Sequence, residues 1–297
     1  MGPTASGKTG LAIELARRLD GEIINADSMQ IYRDLRTITA RPSPDEESQA
    51  PHHLFGILDA SDTCNAQRWT ELAEAKITEI QSRNKHPIIV GGTGFYIRSL
   101  TEGLDEIPPI SVAVREAVRA LSTEQAHQAL ADEDPSMAAR FAPADGQRIR
   151  RALEVLRETG RSLAEFQTGQ IRPDEARFSL VKLLPDREDL YARCDLRLEL
   201  MWEESKGEVA AYLASNPDPA WPLSKAIGVP QIADVLNAAQ SDASGLALAQ
   251  QKTRNYAKRQ LTWLRNQHQD ATKLSIYYSD AQYLNNVADK IETLIQN

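Results

Sequence analysis

The chain has 297 residues, 41% of them hydrophobic and 26% charged, with a formal net charge of −8, which predicts a soluble globular protein with a full core and a second, smaller domain. No run of eighteen apolar residues is present to cross a membrane, no secretory leader is expected, and the two cysteines, Cys64 and Cys194, belong to no Cys-x-x-Cys or Cys/His cluster, so a reducing cytoplasm is the expected setting. Taken whole, the acidic balance argues against nucleic acid, so any surface of that kind has to be local.

The chain opens "MGPTASGKTG", which fits the pattern Gly, four residues, Gly-Lys-Thr from Gly2 to Thr9. Glycines let backbone N–H groups converge on phosphate oxygens, Lys8 adds a positive charge, and the Thr9 hydroxyl can ligand Mg²⁺. Such a loop recognises phosphate and not what is attached to it. It normally follows a strand; only Met1 and Gly2 precede Pro3 here, so a truncated start is expected. "TGLAIELARRL" has Leu11, Leu15 and Leu19 at helical spacing. "GEIINAD" is predicted to be a buried strand ending in Asp27. That puts a carboxylate at a strand's C-terminal end, where open α/β sheets bind ligands and where it can hold Mg²⁺ or accept a proton. On position alone, Asp27 or Ser28 could equally cap a following helix. Gln30 favours the functional reading, because an amide suits the edge of a base.

An amphipathic helix is predicted over 63–84 and a second buried strand over 86–90, "HPIIV", followed by "GGTG" and the helix "FYIRSL". Strand, glycine turn and helix thus occur twice, the pattern of a parallel α/β sheet. His52 and His53 lack a third ligand nearby, and adjacent imidazoles rarely converge on one ion, so both are expected to be structural.

Residues 106–175 lack strand patterns and are expected to be a helical insertion. Strand pattern returns at 178–184, followed by a long helix over about 187–214 and a Pro/Ser/Asp-rich stretch over 215–231. Then come a basic helix over 247–267, a strand "TKLSIYY" (272–278) and a closing helix. The expected domains are an α/β core, 1–107 with 176–297, and a helical insertion, 108–175. Between Lys252 and Arg265 lie five basic residues and no acidic one, with Arg254, Lys258 and Arg265 along one helix side and Tyr256 and Trp263 expected to face the core. Arg148, Arg150 and Arg151 form a second basic cluster, on a helix whose buried stripe is Ile149, Leu153 and Leu156. Either cluster alone could be an ordinary solvated face.

Six blocks occur in order: "GPTASGKT", "ADSMQIYR", "PHHL", "VGGTGFY", "DGQRIRRALEVLRETG" and "KRQLTWLRN". Together they resemble the tRNA dimethylallyltransferases, the tRNA isopentenyltransferase family, over nearly the whole chain. The resemblance implies a P-loop NTPase-like parallel sheet flanked by helices, with a helical insertion domain that contacts tRNA. It implies transfer of the dimethylallyl group of dimethylallyl diphosphate to the N6 amine of the tRNA adenosine 3′ to the anticodon. It also implies Mg²⁺, a tRNA anticodon stem-loop as partner, a cytoplasmic setting and a monomer. The phosphates would then be those of a prenyl donor, held by Gly2, Pro3, Thr4, Ala5, Ser6, Gly7, Lys8 and Thr9, with Arg197 on the long helix and Thr9 on the metal. Asp27 would be the base and Thr93 would bond the same amine. The tRNA contacts implied are Asp27, Ser28, Met29, Gln30, Thr93, Arg115, Gln147, Arg148, Ile149, Arg150, Arg151, Lys258, Arg259, Gln260 and Arg265.

The chain departs from the family twice. "DLRTITAR" (34–41) lacks both glycines of the usual segment, and "GVPQ" (228–231) lacks an aromatic and an arginine. The competing readings are a small-molecule phosphate-loop kinase, an RNA-binding homologue that has lost catalysis, and an adenylate isopentenyltransferase acting on free nucleotide.

Overall fold

The computed structural model describes residues 1–167, 178–267, 271–274 and 281–296. It divides into two compact units, Met1–Thr101 with Ala176–Asn297, and Glu102–Glu175.

In the first unit, α1 (Lys8–Arg18) leads into β1 (Gly21–Asn25), the short α2 (Pro44–Glu47), β2 (His52–His53), α3 (Ala66–Ser82), β3 (His86–Val90) and α4 (Gly94–Glu102). The three strands form a parallel sheet in the order β2-β1-β3, with Ile23 and Ile24 of β1 opposite Ile88 and Ile89 of β3. All five residues of β1 are buried, as a central parallel strand covered on both faces requires. Helix α3 starts where the Asn65 side chain accepts the Arg68 N–H at 2.8 Å. Its Trp69, Ala73, Ile77 and Ile80 make a buried stripe at helical spacing. The Trp69 indole donates to Asn25 O at 2.8 Å and stacks on Tyr96 at 4.8 Å, tying α3 and α4 to the end of β1.

The second unit holds α5 (Val112–Arg119), α6 (Thr123–Glu133), α7 (Pro135–Ala138), α8 (Gly146–Thr159) and α9 (Leu163–Phe166). Side-chain caps start all five: Ser111, Ser122, Asp134, Asp145 and Ser162. Their apolar faces enclose one core containing Val118, Leu130, Met137, Ile149 and Leu153. The unit begins at Glu102 rather than 108, and Ile107 and Ile110 pack into its core.

The chain re-enters the first unit with β4 (Val181–Leu183), α10 (Arg187–Ala214), α11 (Val229–Leu236), α12 (Asp242–Asn266), β5 (Thr272–Leu274) and α13 (Ala281–Gln296). Strands β4 and β5 pair in parallel. Helix α12 starts at Asp242, earlier than the expected 247, because Ser241 caps it by accepting the Ser244 N–H at 3.2 Å. Of the strand expected over 272–278, residues 275–278 lie outside the described residues.

Two sequence expectations need correction. β1 closes at Asn25 and not at Asp27, because the fully buried Asn25 carboxamide bonds the Asp27 amide at 2.8 Å and the Asp27 carbonyl at 3.0 Å. No helix follows for Asp27 or Ser28 to cap; residues 28–31 form a turn. As for support ahead of the phosphate loop, the Met1 backbone brackets β4, donating to Val181 O at 2.7 Å and accepting from Leu183 N at 2.8 Å. On its other side Gly2 N reaches Gly91 O, just beyond β3, at 3.4 Å.

Candidate functional site

The phosphate loop bends through two left-handed residues, Ala5 (φ 56°) and Gly7 (φ 74°), the second of which leads straight into α1. No side chain caps α1, no acidic residue occupies its first turn, and its first internal bond runs from Leu11 N to Gly7 O. The amides of Lys8, Thr9 and Gly10 therefore stand at an open helix N-terminus, a ready-made anion site. Thr4 is held differently from the expected phosphate cradle. Its amide donates to Gln260 Oε1 at 2.8 Å and its hydroxyl accepts from Arg197 of α10. Gly2 and Pro3 are buried beneath the loop, where Pro3 O accepts from Ser6 N at 3.3 Å and from the Lys8 ammonium at 2.5 Å.

Burial pushes the Lys8 ammonium down to about 8, with Asp27 opposing the shift and Arg197 adding to it. Burial likewise lowers Arg197, whose nearest charges include Asp27. Two cations thus stand over one anion at the mouth of α1. The imbalance favours a multiply charged anionic ligand.

Asp27 is fixed by the turn after β1. One carboxylate oxygen accepts the Met29 N–H at 2.9 Å, which leaves the other for chemistry. Beside it, Thr93 N donates to Ala26 O at 3.1 Å, and the Thr93 hydroxyl accepts from Ser28 N at 3.0 Å and reaches Ser28 Oγ at 3.3 Å. This stitching needs Gly91, where any side chain would collide with the Ala26 backbone. Gln30 turns its amide nitrogen onto the carbonyls of Thr39 and Ala40, at 3.0 and 2.8 Å. That bond anchors the glycine-free segment 34–41. The same segment is held by Glu208 of α10, whose carboxylate accepts from the amides of Arg36, Thr37 and Ile38.

Helix α12 presents one face to the glycine turn. Gln260 is 7% exposed and joins the two loops, accepting from Thr4 N and donating to Gly92 O at 2.9 Å. It was expected among the RNA contacts; with both ends of its amide engaged inside the fold, it is a clamp. One turn on, the Trp263 ring fills the space beside Gly94. One turn back lies the half-buried Tyr256, with the Arg259 guanidinium 5.7 Å from its ring centre. Neither aromatic lies in the core, contrary to expectation; Thr253, Ala257, Leu261 and Leu264 fill that stripe.

The basic clusters separate by face. On α12, Lys258, Arg259 and Arg265 are exposed, whereas Arg254 is neutralised by Asp195 of α10 at 2.6 and 2.7 Å. In the helical unit, Arg115, Gln147 and Arg148 are exposed, and Arg151 lies 3.7 Å from Glu154. Ile149 is wholly buried and cannot be a side-chain contact. Arg150 is committed to Leu121 O at 3.0 Å and Thr123 Oγ1 at 3.3 Å. His53 bonds Glu22 at 2.6 Å and His52 bonds Ala50 O at 2.7 Å, both within the sheet framework.

A cavity of about 310 Å³ lies between β3 and β4, walled by Leu11, Leu15, Ile88, Leu100 and Val181. Lys8 reaches its wall but Asp27, Thr93 and Arg197 do not, so the site is defined by the side-chain constellation and not by this largely apolar space. Among the described residues no group of three or more His, Cys, Asp or Glu could hold a metal, and no helix is long and apolar enough to cross a membrane.

An anion site at an open helix end, two cations and a carboxylate in the turn after the neighbouring strand define an α/β protein of the phosphate-loop type. The IPP transferase family model matches residues 30–267. Among curated relatives, the tRNA dimethylallyltransferase of Sphingopyxis alaskensis is 45% identical, with 99% of this chain and 97% of the relative covered. That of Parvibaculum lavamentivorans is 49% identical over 90% and 86%. The crystal structure of a full-length tRNA isopentenylpyrophosphate transferase from Bacillus halodurans is 31% identical with a TM-score of 0.71, covering 98% of this chain and 94% of that one. A eukaryotic dimethylallyltransferase acting on tRNA superposes with a TM-score of 0.78 at 26% identity, over 92% and 72%. The chain belongs to the IPP transferase family.

Proposed function

We propose that this protein transfers the dimethylallyl group from dimethylallyl diphosphate to the N6 amine of the tRNA adenosine 3′ to the anticodon. The observation that carries the reading is the pairing of the Lys8–Arg197 anion site with the Asp27 carboxylate, close enough for each cation to feel its charge. The amine nitrogen attacks the allylic carbon, the carbon–oxygen bond breaks, and its electrons leave with the diphosphate. Lys8, Arg197 and the amides at the start of α1 stabilise the charge that builds on the leaving group. The free oxygen of Asp27 takes the amine proton as the new bond forms, which offsets the poor nucleophilicity of an exocyclic amine. Thr93 bonds the same amine and sets its angle.

Mg²⁺ suits this site. It keeps most of its waters and is held by few protein groups plus substrate phosphates, and the Thr9 hydroxyl at the start of α1 is such a donor. When bound, the ion would neutralise diphosphate charge. Exposed Arg115 and Arg148 and half-buried Arg151 of the helical unit, and exposed Lys258, Arg259 and Arg265 of α12, supply phosphate contacts to an anticodon stem-loop. The target base is extruded to reach Asp27. The protein acts in the cytoplasm as a monomer.

Incubation with labelled dimethylallyl diphosphate, Mg²⁺ and unmodified tRNA tests the reading. Label in RNA is expected. Label in AMP would point to an adenylate prenyltransferase, phosphoryl transfer from ATP to a kinase, and tRNA binding without transfer to a homologue that has lost catalysis.

A further inference from the structure

Residues 36–41 close on themselves as one tight loop. Ala40 N donates to Thr37 O at 2.8 Å, Arg41 N donates to Arg36 O at 3.0 Å, and Ala40 takes a left-handed φ of 53°. The amides that open this loop, those of Arg36, Thr37 and Ile38, all donate to the Glu208 carboxylate of α10, the last two at 3.0 and 3.1 Å. Hydrogen bonds to an ionised acceptor are roughly twice as strong as neutral ones, so a single side chain sets how the loop is held. The other segment that departs from the family pattern meets it here: Ile38 covers Gly228, where a Cβ would collide with it.

At the far end of the loop, the carbonyls of Thr39 and Ala40 both accept from Gln30 Nε2, at 3.0 and 2.8 Å. A carboxamide has two N–H donors on its nitrogen and one acceptor oxygen. Two carbonyls can be met only by the nitrogen, so both donors are spent and the amide cannot flip. The Gln30 oxygen has no hydrogen-bond partner among the described residues and is not one of the buried unpartnered atoms, so it is open to solvent. Gln30 stands in the turn 28–31 that follows Asp27. It therefore offers an incoming base an acceptor and no donor. The two-point pairing of glutamine with adenine, which needs both, is closed to it.

We infer that Glu208 is a positioning residue for base recognition: through the 36–41 loop it holds the Gln30 carbonyl oxygen toward the RNA as an acceptor for a base N–H. This inference rests on the prenyl-transfer reading. The reacting amine is taken by Asp27 and Thr93, and adenine has no other donor, so the N–H that Gln30 accepts belongs to a base next to the target.

Kinetics of the full chain with dimethylallyl diphosphate and unmodified tRNA test the inference. Glu208→Gln keeps the side chain's size but replaces one acceptor oxygen with N–H groups that oppose the loop amides. KM for tRNA should rise about fivefold, the scale of one lost hydrogen bond. Donor KM and kcat should stay within about twofold, as for a contact made equally before and during the reaction. Gln30→Met, which keeps the shape and removes the acceptor, should show the same split. The double variant should be no worse than Gln30→Met alone, since both act through one oxygen. Removing base N–H groups beside the target adenosine, one nucleotide at a time, should reproduce the loss at one position in the unaltered protein and cost nothing there in Gln30→Met. A lowered melting temperature in Glu208→Gln with an unchanged KM for tRNA would make Glu208 a structural brace and overturn the inference. Strictly additive losses in the double variant would overturn it too. A wild-type chain that transfers no label would take down the prenyl-transfer reading and this one together; an active wild type with an unimpaired Glu208→Gln sinks only this one.

Discussion

Helices α8 and α12 each carry a basic block of the family pattern, and they differ in what they turn inward. Along α8 the inward residues are Ile149, Ala152, Leu153 and Val155, which do nothing but fill a core. Along α12 the inward face passes from small and aliphatic residues to Gln260, whose amide holds the phosphate loop against the glycine turn. A contiguous block such as "QRIRR" or "KRQ" is therefore not one functional surface. At 3.6 residues per turn the helix deals its members alternately to solvent and to the interior. On α8 the interior share is packing, and on α12 it is part of the site.

The largest expected effect sharpens the comparison from the catalytic side. Asp27→Asn keeps shape and the bond from Met29 N but removes the proton acceptor. It should lower kcat by about a thousandfold, the range of a lost general base, with tRNA affinity by filter binding unchanged. Equal collapse of binding and turnover would mean that Asp27 organises the RNA site and is not the base.

The next prediction sets the two inward faces against each other. Ile149→Ala leaves a hole in the helical unit's core and should cost about 2–5 kcal/mol by denaturant unfolding, with little change in kcat for the protein that remains folded. Gln260→Ala leaves Thr4 N and Gly92 O without their partner, costing about 1–3 kcal/mol, and should also raise KM for the prenyl donor because the loop loses its brace. If Gln260→Ala shifted RNA affinity while leaving donor KM alone, the family-based expectation of an RNA contact would be restored.

A third test uses pH. Lys8 sits at about 8 because burial disfavours its charged form. Free enzyme therefore loses that charge as pH rises through 8, well below the ordinary lysine range. Donor affinity should be flat from pH 6 to 7.5 and fall by about tenfold per unit once Lys8 is neutral. Lys8→Arg should keep its charge and remove that break in the profile. A profile that stays flat to pH 10 in the unaltered protein would show that Lys8 does not hold the donor.

Much of this was legible in the residues themselves. Phosphate-loop spacing located α1, the short apolar runs in "GEIINAD" and "HPIIV" located β1 and β3, and the long helix expected over about 187–214 is α10. What stayed hidden depended on partners distant in sequence. Glu208 looks like any acidic residue on a helix until it is seen gripping three amides of the 36–38 segment. That grip also shows how a segment without its two glycines keeps one shape. Arg254 counted as a free charge because Asp195, its neutraliser, lies on another helix. Tyr256 was taken for core because spacing tells which side a residue faces and not what waits there. A polar glutamine at a buried-stripe position, four residues from a tyrosine, was the one available hint.

The smallest effects test the outward faces. Arg148 and Arg151 have carboxylates at 3.6 and 3.7 Å, from Asp145 and Glu154. No carboxylate lies within ion-pair distance of Lys258 or Arg259 among the described residues. A phosphate must displace the existing partner in the first case and meets an unneutralised charge in the second. Removing each pair should weaken tRNA binding by a few-fold at moderate salt, with Lys258→Ala/Arg259→Ala the more costly. That variant should flatten the slope of log K against log salt by nearly two counterions, about 0.7–0.9 for each lost phosphate contact. Arg148→Ala/Arg151→Ala should flatten it by less, because part of each charge is already cancelled. Equal slopes for the two variants would show that the short-range pairs on α8 open freely on binding; an unchanged slope in both would move the RNA backbone to a different face of the protein.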